Sequence, residues 1–321
     1  MGVPTQRPVS APIAQSSGDL IADRRFAIAQ ELLGRDDLSG AADLLTQAIE
    51  AAPRFTSAWF ALGEVRERLG SRDDAVAAFQ QVCALDPEDR LGAGLHLVRL
   101  GALAAGDMPA AYVRTLFDQY AARFDTALPE TLRYRGPQLV HDAIARACAA
   151  GRRAMRFADM LDLGCGTGLA GATFRPLVGR LTGIDLSERM IAAARAKQLY
   201  DQLETADLMA FLHGEAQAQR CYTLIVAADV CPYLGWLPPL LTAVARVLAP
   251  DGLFGFTAET HAGDDVILGD KRRYAHGTAH VRAAVSVAGL TLVSLDDAWA
   301  RQEAGVPAPG LVVVAKAAST D

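Results

Sequence analysis

The sequence predicts two parts: an all-α helical-repeat segment, then an α/β domain built on a doubly wound, mostly parallel sheet. Three observations carry that reading. The chain has 321 residues, long for one domain and comfortable for two. Its first third contains a self-similar period. From about residue 155 onward, short apolar runs ending in small or acidic residues alternate with Ala-rich helical stretches.

The repeat comes first. Pro53 and Pro87 lie 34 residues apart, and at the same offset Ala41 matches Ala75, Leu45 matches Phe79 and Ala29 matches Gly63. The second copy carries Trp59, Leu62, Gly63, Gly70, Ala75, Phe79 and Pro87, a pattern that resembles the tetratricopeptide repeat (TPR). Small residues at Gly63 and Ala75 let two helices approach closely, Leu62 and Phe79 fill the seam, and Pro87 stops the second helix. The first copy is degenerate, with Arg25 at the Trp position. A further helix is expected over about residues 87–105, against which so short an array can lean. Two readings stand for these repeats: a groove for a protein partner, or a packing or dimerisation module. The small number of repeats favours the second.

In the α/β part, strands are expected at 157–163, 181–184, 223–228, 253–258, 290–295 and 311–315. Helices are expected at 187–197, 240–248 and 280–288. Leu241, Val244 and Leu248 share one face of the second helix. Sheets of this kind bind ligands outside the carboxyl ends of their strands.

Composition narrows the function. A net charge of −6 gives no general attraction to phosphate backbones, so nucleic acid is not an expected partner. The five cysteines, Cys83, Cys148, Cys165, Cys221 and Cys231, are odd in number and contain no CxxC pair. That argues against a disulfide framework or zinc site and fits a reducing, cytoplasmic setting. Residues 1–18 are expected as a disordered tail; they lack the charged and apolar regions of a secretory signal, and Gln6 stands where a myristoylation motif wants Ser or Thr. The apolar stretch over 222–250 is broken by Asp229, Pro232, Pro238, Pro239 and Arg246, so no membrane span is expected.

The chemical signal is the run Leu161-Asp162-Leu163-Gly164-Cys165-Gly166-Thr167-Gly168, continuing to Gly171. Glycines at alternate positions let the backbone turn tightly and approach a ligand. Gly166, Gly168 and Gly171 also satisfy the GxGxxG dinucleotide fingerprint, so an NAD reading competes. Either reading needs an acid at the end of the second strand for ribose hydroxyls, and Asp185 supplies it. Two features favour the alternative to NAD. Asp162 sits at the strand end, where a charge suits a cationic amino-acid moiety and is out of place beside a pyrophosphate. The chain also offers no second dinucleotide half.

The third feature is a resemblance. The run LDLGCGTG resembles motif I of class I S-adenosylmethionine (SAM)-dependent methyltransferases, and GIDLSERMI their second-strand motif. Residues 246–253, RVLAPDGL, resemble the turn before their fifth strand, with Asp251 replacing a Gly. Taken with the repeats, the layout is similar to bacterial TPR-containing methyltransferases. Segments that carry this likeness are 117–125, 227–235 and 273–276. The resemblance implies a Rossmann-like sheet of about seven strands, with repeats over 19–108 and a methyltransferase domain over 109–321.

The resemblance also implies roles. Gly164, Gly166 and Gly168 would pass under the methionine part of SAM, Asp162 would meet its ammonium, and Asp185 its ribose hydroxyls. Met190 would pack on the adenine, Asp207 would meet the adenine amino group, and Ala227 would face the cofactor with its carbonyl. Each has a plainer alternative: core packing for Met190, and a helix cap for Asp207 as for Ser187. Tyr120 and Phe124, four residues apart, would fold over SAM as a lid or else pack between domains. Methyl transfer from a sulfonium mostly requires orientation and exclusion of water, and needs no metal; no metal-ligand cluster is visible. Candidates at the acceptor mouth are Asp229, Tyr233, Glu259, His261 and His276, with Tyr233 and His276 singled out as lining the pocket. His276 is expected on a charged loop near Lys271, Arg272 and Arg273. The leading expectation is methyl transfer to a small-molecule acceptor, yielding S-adenosylhomocysteine (SAH). Its competitors are a protein methyltransferase recruiting through the repeats, an NAD-dependent oxidoreductase, and a non-enzymatic SAM-binding scaffold.

Overall fold

A computed structural model describes residues 16–121, 124, 133–303 and 305–317. It divides into two compact units, Met1–Thr115 and Leu116–Asp321. The tail expected over 1–18 lies outside the described residues up to position 15. Residues 16–18 depart from that expectation. The Ser17 amide and hydroxyl donate to the Asp23 carboxylate at 2.6 and 2.7 Å, folding this stretch onto the first helix.

The first unit contains α1 (Leu20–Gly34), α2 (Leu38–Ala51), α3 (Thr56–Arg68), α4 (Arg72–Leu85) and α5 (Ala93–Arg99). Asp19 starts α1 by accepting from the Ile21 and Ala22 amides, and Asp37 starts α2 by accepting from Gly40. Helix α1 packs on α2, and α3 on α4. The repeat positions Ala41, Leu45, Leu62, Ala75 and Phe79 are all buried. A Cβ on Gly63 would lie 2.7 Å from the Phe79 ring, so glycine there is a condition of the α3–α4 approach. Phe79 stacks on His96 at 4.3 Å and so ties α5 to the repeats. The further helix is shorter than expected, because Gly92 and Gly101 take φ of 74° and 68° at its two ends.

Helix α6 (Ala110–Tyr120) leads into the second unit. There follow α7 (Gly136–Ala150), β1 (Phe157–Leu163), α8 (Leu169–Phe174), β2 (Val178–Asp185), α9 (Glu188–Ala196), β3 (Gln202–Thr205) and α10 (Leu208–Gln217). Then come β4 (Tyr222–Ala227), α11 (Pro238–Val247), β5 (Leu248–Glu259), β6 (Val266–Leu268), β7 (Tyr274–His276), α12 (Thr278–Val287) and β8 (Leu290–Ala298). A short pair, β9 (Gln302–Glu303) and β10 (Val306–Pro307), precedes β11 (Gly310–Ala317). The sheet order is β3-β2-β1-β4-β5-β11-β8, with β6 and β7 beside β5. The first five strands are parallel, and β11 runs antiparallel to β5 and β8.

Strand order reverses between β1 and β4, which places a crevice at their carboxyl ends. Alternation along β1 feeds both faces. Leu161 and Leu163 join the core with Leu212, Leu241 and Val281 from α10, α11 and α12. Met160 joins the opposite core with Val140, Ile144 and Phe174 from α7 and α8. Asp251, standing where the resembling motif has Gly, takes φ 58°, the left-handed turn that glycine would adopt freely.

Candidate functional site

The turn after β1 crosses the crevice. Gly164, Gly166 and Gly168 all have positive φ, at 64°, 53° and 92°. Gly168 then begins α8. The Cys165 amide donates to Ile184 O at 2.9 Å, so the turn is fastened to β2. Asp185, at the end of β2, completes the fastening. Its Oδ2 accepts from the Gly166 amide at 2.9 Å and its Oδ1 from the Ser187 amide at 2.8 Å. A carboxylate has about four acceptor sites, so these two amides do not exhaust it. Burial raises the Asp185 pKa, against the lowering effect of those amides.

Asp162 lies behind the turn, 1 % exposed. Its Oδ2 accepts from the Tyr200 hydroxyl at 2.6 Å. Burial pushes its pKa up to about 7, while the Tyr200 hydrogen bond pulls it down. Ser187 accepts from the Met190 amide at 3.1 Å as the cap of α9, and donates to Asp118 Oδ1 at 2.5 Å. Arg189 donates to the Asp118 carbonyl at 3.3 Å. These bonds pin the end of α6 beside Asp185.

Aromatic rings gather near the turn. Phe124 lies within ordinary contact distance of Gly166, 3.7 Å from where a Cβ would stand. Phe117 packs edge-on against Phe124 at 6.4 Å and Tyr233 at 5.1 Å. Tyr120 is 41 % exposed, so Phe117 rather than Tyr120 is the α6 ring in this group. Val230 closes on Gly164, where a Cβ would meet its Cγ2 at 2.6 Å.

The other sequence-predicted positions fall as follows. Met190 is fully buried on α9, and Ala227 is buried at the end of β4. Asp207 caps α10, its carboxylate accepting from the Met209 and Ala210 amides at 3.0 Å. His276 does not lie on a charged loop. It sits in β7, fully buried, and its Nε2 donates to Cys231 O at 3.2 Å, just before Tyr233 in the chain. Burial pushes its pKa down to about 4. His261 turns back on its own loop, donating to Asp265 O at 2.8 Å.

Asp229 and Glu259 are joined by a residue that sequence reasoning missed. Buried Arg301 pairs with both carboxylates, and Arg273 reaches Glu259 at 2.5 Å. Asp229 has φ 65° and its amide donates to Thr257 Oγ1 at 2.8 Å, so its backbone is held in the left-handed region at the rim. Nothing local in the sequence marks Arg301. Phe117 and Asp118, by contrast, lie in the 117–125 run that carried part of the resemblance.

Residues 161–254 match the family described as a methyltransferase domain, and residues 26–90 match the tetratricopeptide repeat. Malonyl-[acyl-carrier protein] O-methyltransferase of Enterobacter lignolyticus is 32% identical over 140 residues, covering 43% of this chain and 52% of that protein. The Serratia marcescens protein of the same name is 30% identical over 125 residues, covering 39% and 47%. The chain thus spans about half the length of the curated relatives it matches. Magnesium protoporphyrin IX methyltransferase from Synechocystis PCC 6803, solved with bound SAM, superposes with a TM-score of 0.50 at 18% identity. That match covers 67% of this chain and 100% of the other, and it shows a shared fold. Motif, topology and family match agree: residues 161–254 form a methyltransferase domain on a mostly parallel, Rossmann-like sheet, preceded in the chain by tetratricopeptide repeats over 26–90.

Proposed function

We propose that this protein transfers a methyl group from SAM to a small-molecule acceptor. The observation that carries the reading is the three-glycine turn at the strand-order reversal, tied to a buried carboxylate that keeps acceptor capacity for ribose hydroxyls. In this reading Gly164, Gly166 and Gly168 pass beneath the methionine part, Asp162 faces the ammonium, and Asp185 takes the ribose. Asp207 and Met190 border the adenine, and the Ala227 carbonyl faces the methionine side. When bound, SAM supplies a sulfonium methyl that passes in line to a nucleophile and leaves a neutral thioether. The protein's part is orientation and exclusion of water. Phe117 and Phe124 cover the glycine turn. Tyr233 lines the acceptor side, and His276 supports that wall through the Cys231 carbonyl. The Asp229–Arg301–Glu259–Arg273 group pairs two carboxylates with two guanidinium groups and so carries no net charge.

The curated relatives are named for O-methylation of a malonyl group on an acyl-carrier protein. That name supports an oxygen acceptor here. It also keeps a second reading in view, since the TPR match supports recruitment of a protein that is, or bears, the acceptor. Tritiated SAM incubated with the purified protein and a cell extract separates the two. Label in an extractable small metabolite supports the first reading, and label retained on a protein band supports the second. Label in neither contradicts methyl transfer.

A further inference from the structure

We propose that Tyr200 is a positioning residue whose hydroxyl keeps the Asp162 carboxylate ionised and aimed at the ammonium end of the cofactor. The inference rests on the SAM reading above and deepens it. Tyr200 precedes β3 and its ring reaches under the glycine turn. Three glycines from three elements make its space. A Cβ on Gly168, in the turn, would lie 3.0 Å from Tyr200 Cε2. One on Gly171, in α8, would lie 2.4 Å from the hydroxyl oxygen and 2.5 Å from Cζ. One on Gly183, in β2, would lie 2.6 Å from Cε1. Two of these positions belong to the GxGxxG pattern that suggested a dinucleotide, and Gly171 is accounted for by a tyrosine ring. The slot ends at Asp162, where the hydroxyl donates at 2.6 Å.

A buried carboxylate is costly unless its charge is met by donors. The titratable groups facing Asp162 are Tyr200, Asp185, Cys165 and Tyr134. Asp185 opposes ionisation of Asp162, and Tyr200 favours it through its hydrogen bond. With the carboxyl already at about 7, the hydroxyl decides how much of it is charged at neutral pH. A neutral Asp162 has no ion to offer an ammonium. Tyr200→Phe keeps the ring and its packing in the three-glycine slot but removes the donor.

The test is calorimetric titration with SAH, which carries the same ammonium as SAM, at several values between about pH 6 and 8.5, where an ordinary carboxylate has no titration left. Wild-type affinity should fall as pH drops through about 7. Y200F should bind about tenfold more weakly at pH 7 and recover towards wild type at the alkaline end, an upward shift of its profile. Asp162→Asn should be weak and flat with pH. A Y200F profile superimposable on wild type, or weakened equally at every pH, overturns the proposal. If Y200F does not fold, D162N still decides: a wild-type pH slope in D162N overturns it, and a flat profile supports it. No SAH binding by wild-type protein overturns the SAM reading itself, a result distinct from any failure of Y200F alone.

Discussion

At the end of β2 one carboxylate serves two purposes. Asp185 holds the Gly166 and Ser187 amides, which shapes the turn, and it retains the acceptor sites proposed for ribose. Loss of Asp185 therefore disturbs the turn as well as ligand contacts, and a variant there is read only beside a check on folding. His276 shows burial acting on a base. Its pKa of about 4 in the folded protein lies below the usual 6.5, so the folded state resists protonation. The resulting stability is complete above pH 6.5 and is lost as pH falls towards 4. Chemical denaturation should show about 3 kcal/mol of stability lost from this group across that window, and His276→Gln should lack that increment. An unchanged pH slope in the variant contradicts the account. At this scale, the placement of residues inside a motif was legible: Asp162 in β1, Asp185 at the end of β2, Ser187 as the cap of α9, and the glycines in the turn after β1. Tyr200 and Arg301 were not, since each meets its partners only through distant pairings, Asp162 for one and Asp229 with Glu259 for the other. His276 was misplaced because neighbouring Lys and Arg residues suggested a solvated loop, whereas β7 pairs with β5 and β6 and takes it inside.

Elements tell a similar story. The α3–α4 hairpin was readable because its conditions are local: a glycine facing an aromatic one helix away. Gly63→Ala should destabilise the repeat unit by about 1–3 kcal/mol, as over-packing of a closed seam does. Pairing it with Phe79→Leu should return part of that loss in urea unfolding, and additive losses would contradict the packing argument. Strands β3, β6, β7, β9 and β10 were missed. Each spans at most four residues, and β3 is partly exposed throughout, so no apolar alternation announces it. Helical spacing alone pairs Tyr120 with Phe124, four residues apart. Tertiary contact then selects Phe117 and Phe124, with Asp118 tied to Ser187 on α9.

For the whole molecule, what mattered was order along the chain rather than any single motif. Strand–helix alternation implied a parallel sheet, and the structure adds the reversal between β1 and β4 that makes a crevice. The antiparallel placement of β11 between β5 and β8 is a property of long-range pairing that periodicity does not encode. No helix among the described residues is long and apolar enough to cross a membrane. The proposed function turns on what the crevice holds. Calorimetric titration of the full-length protein with SAM, SAH and NAD in parallel tests this most directly. Micromolar binding of SAM and SAH without NAD, lost in a folded Asp185→Ala variant, is the result predicted. Binding of NAD alone, or of none of the three, would contradict the account.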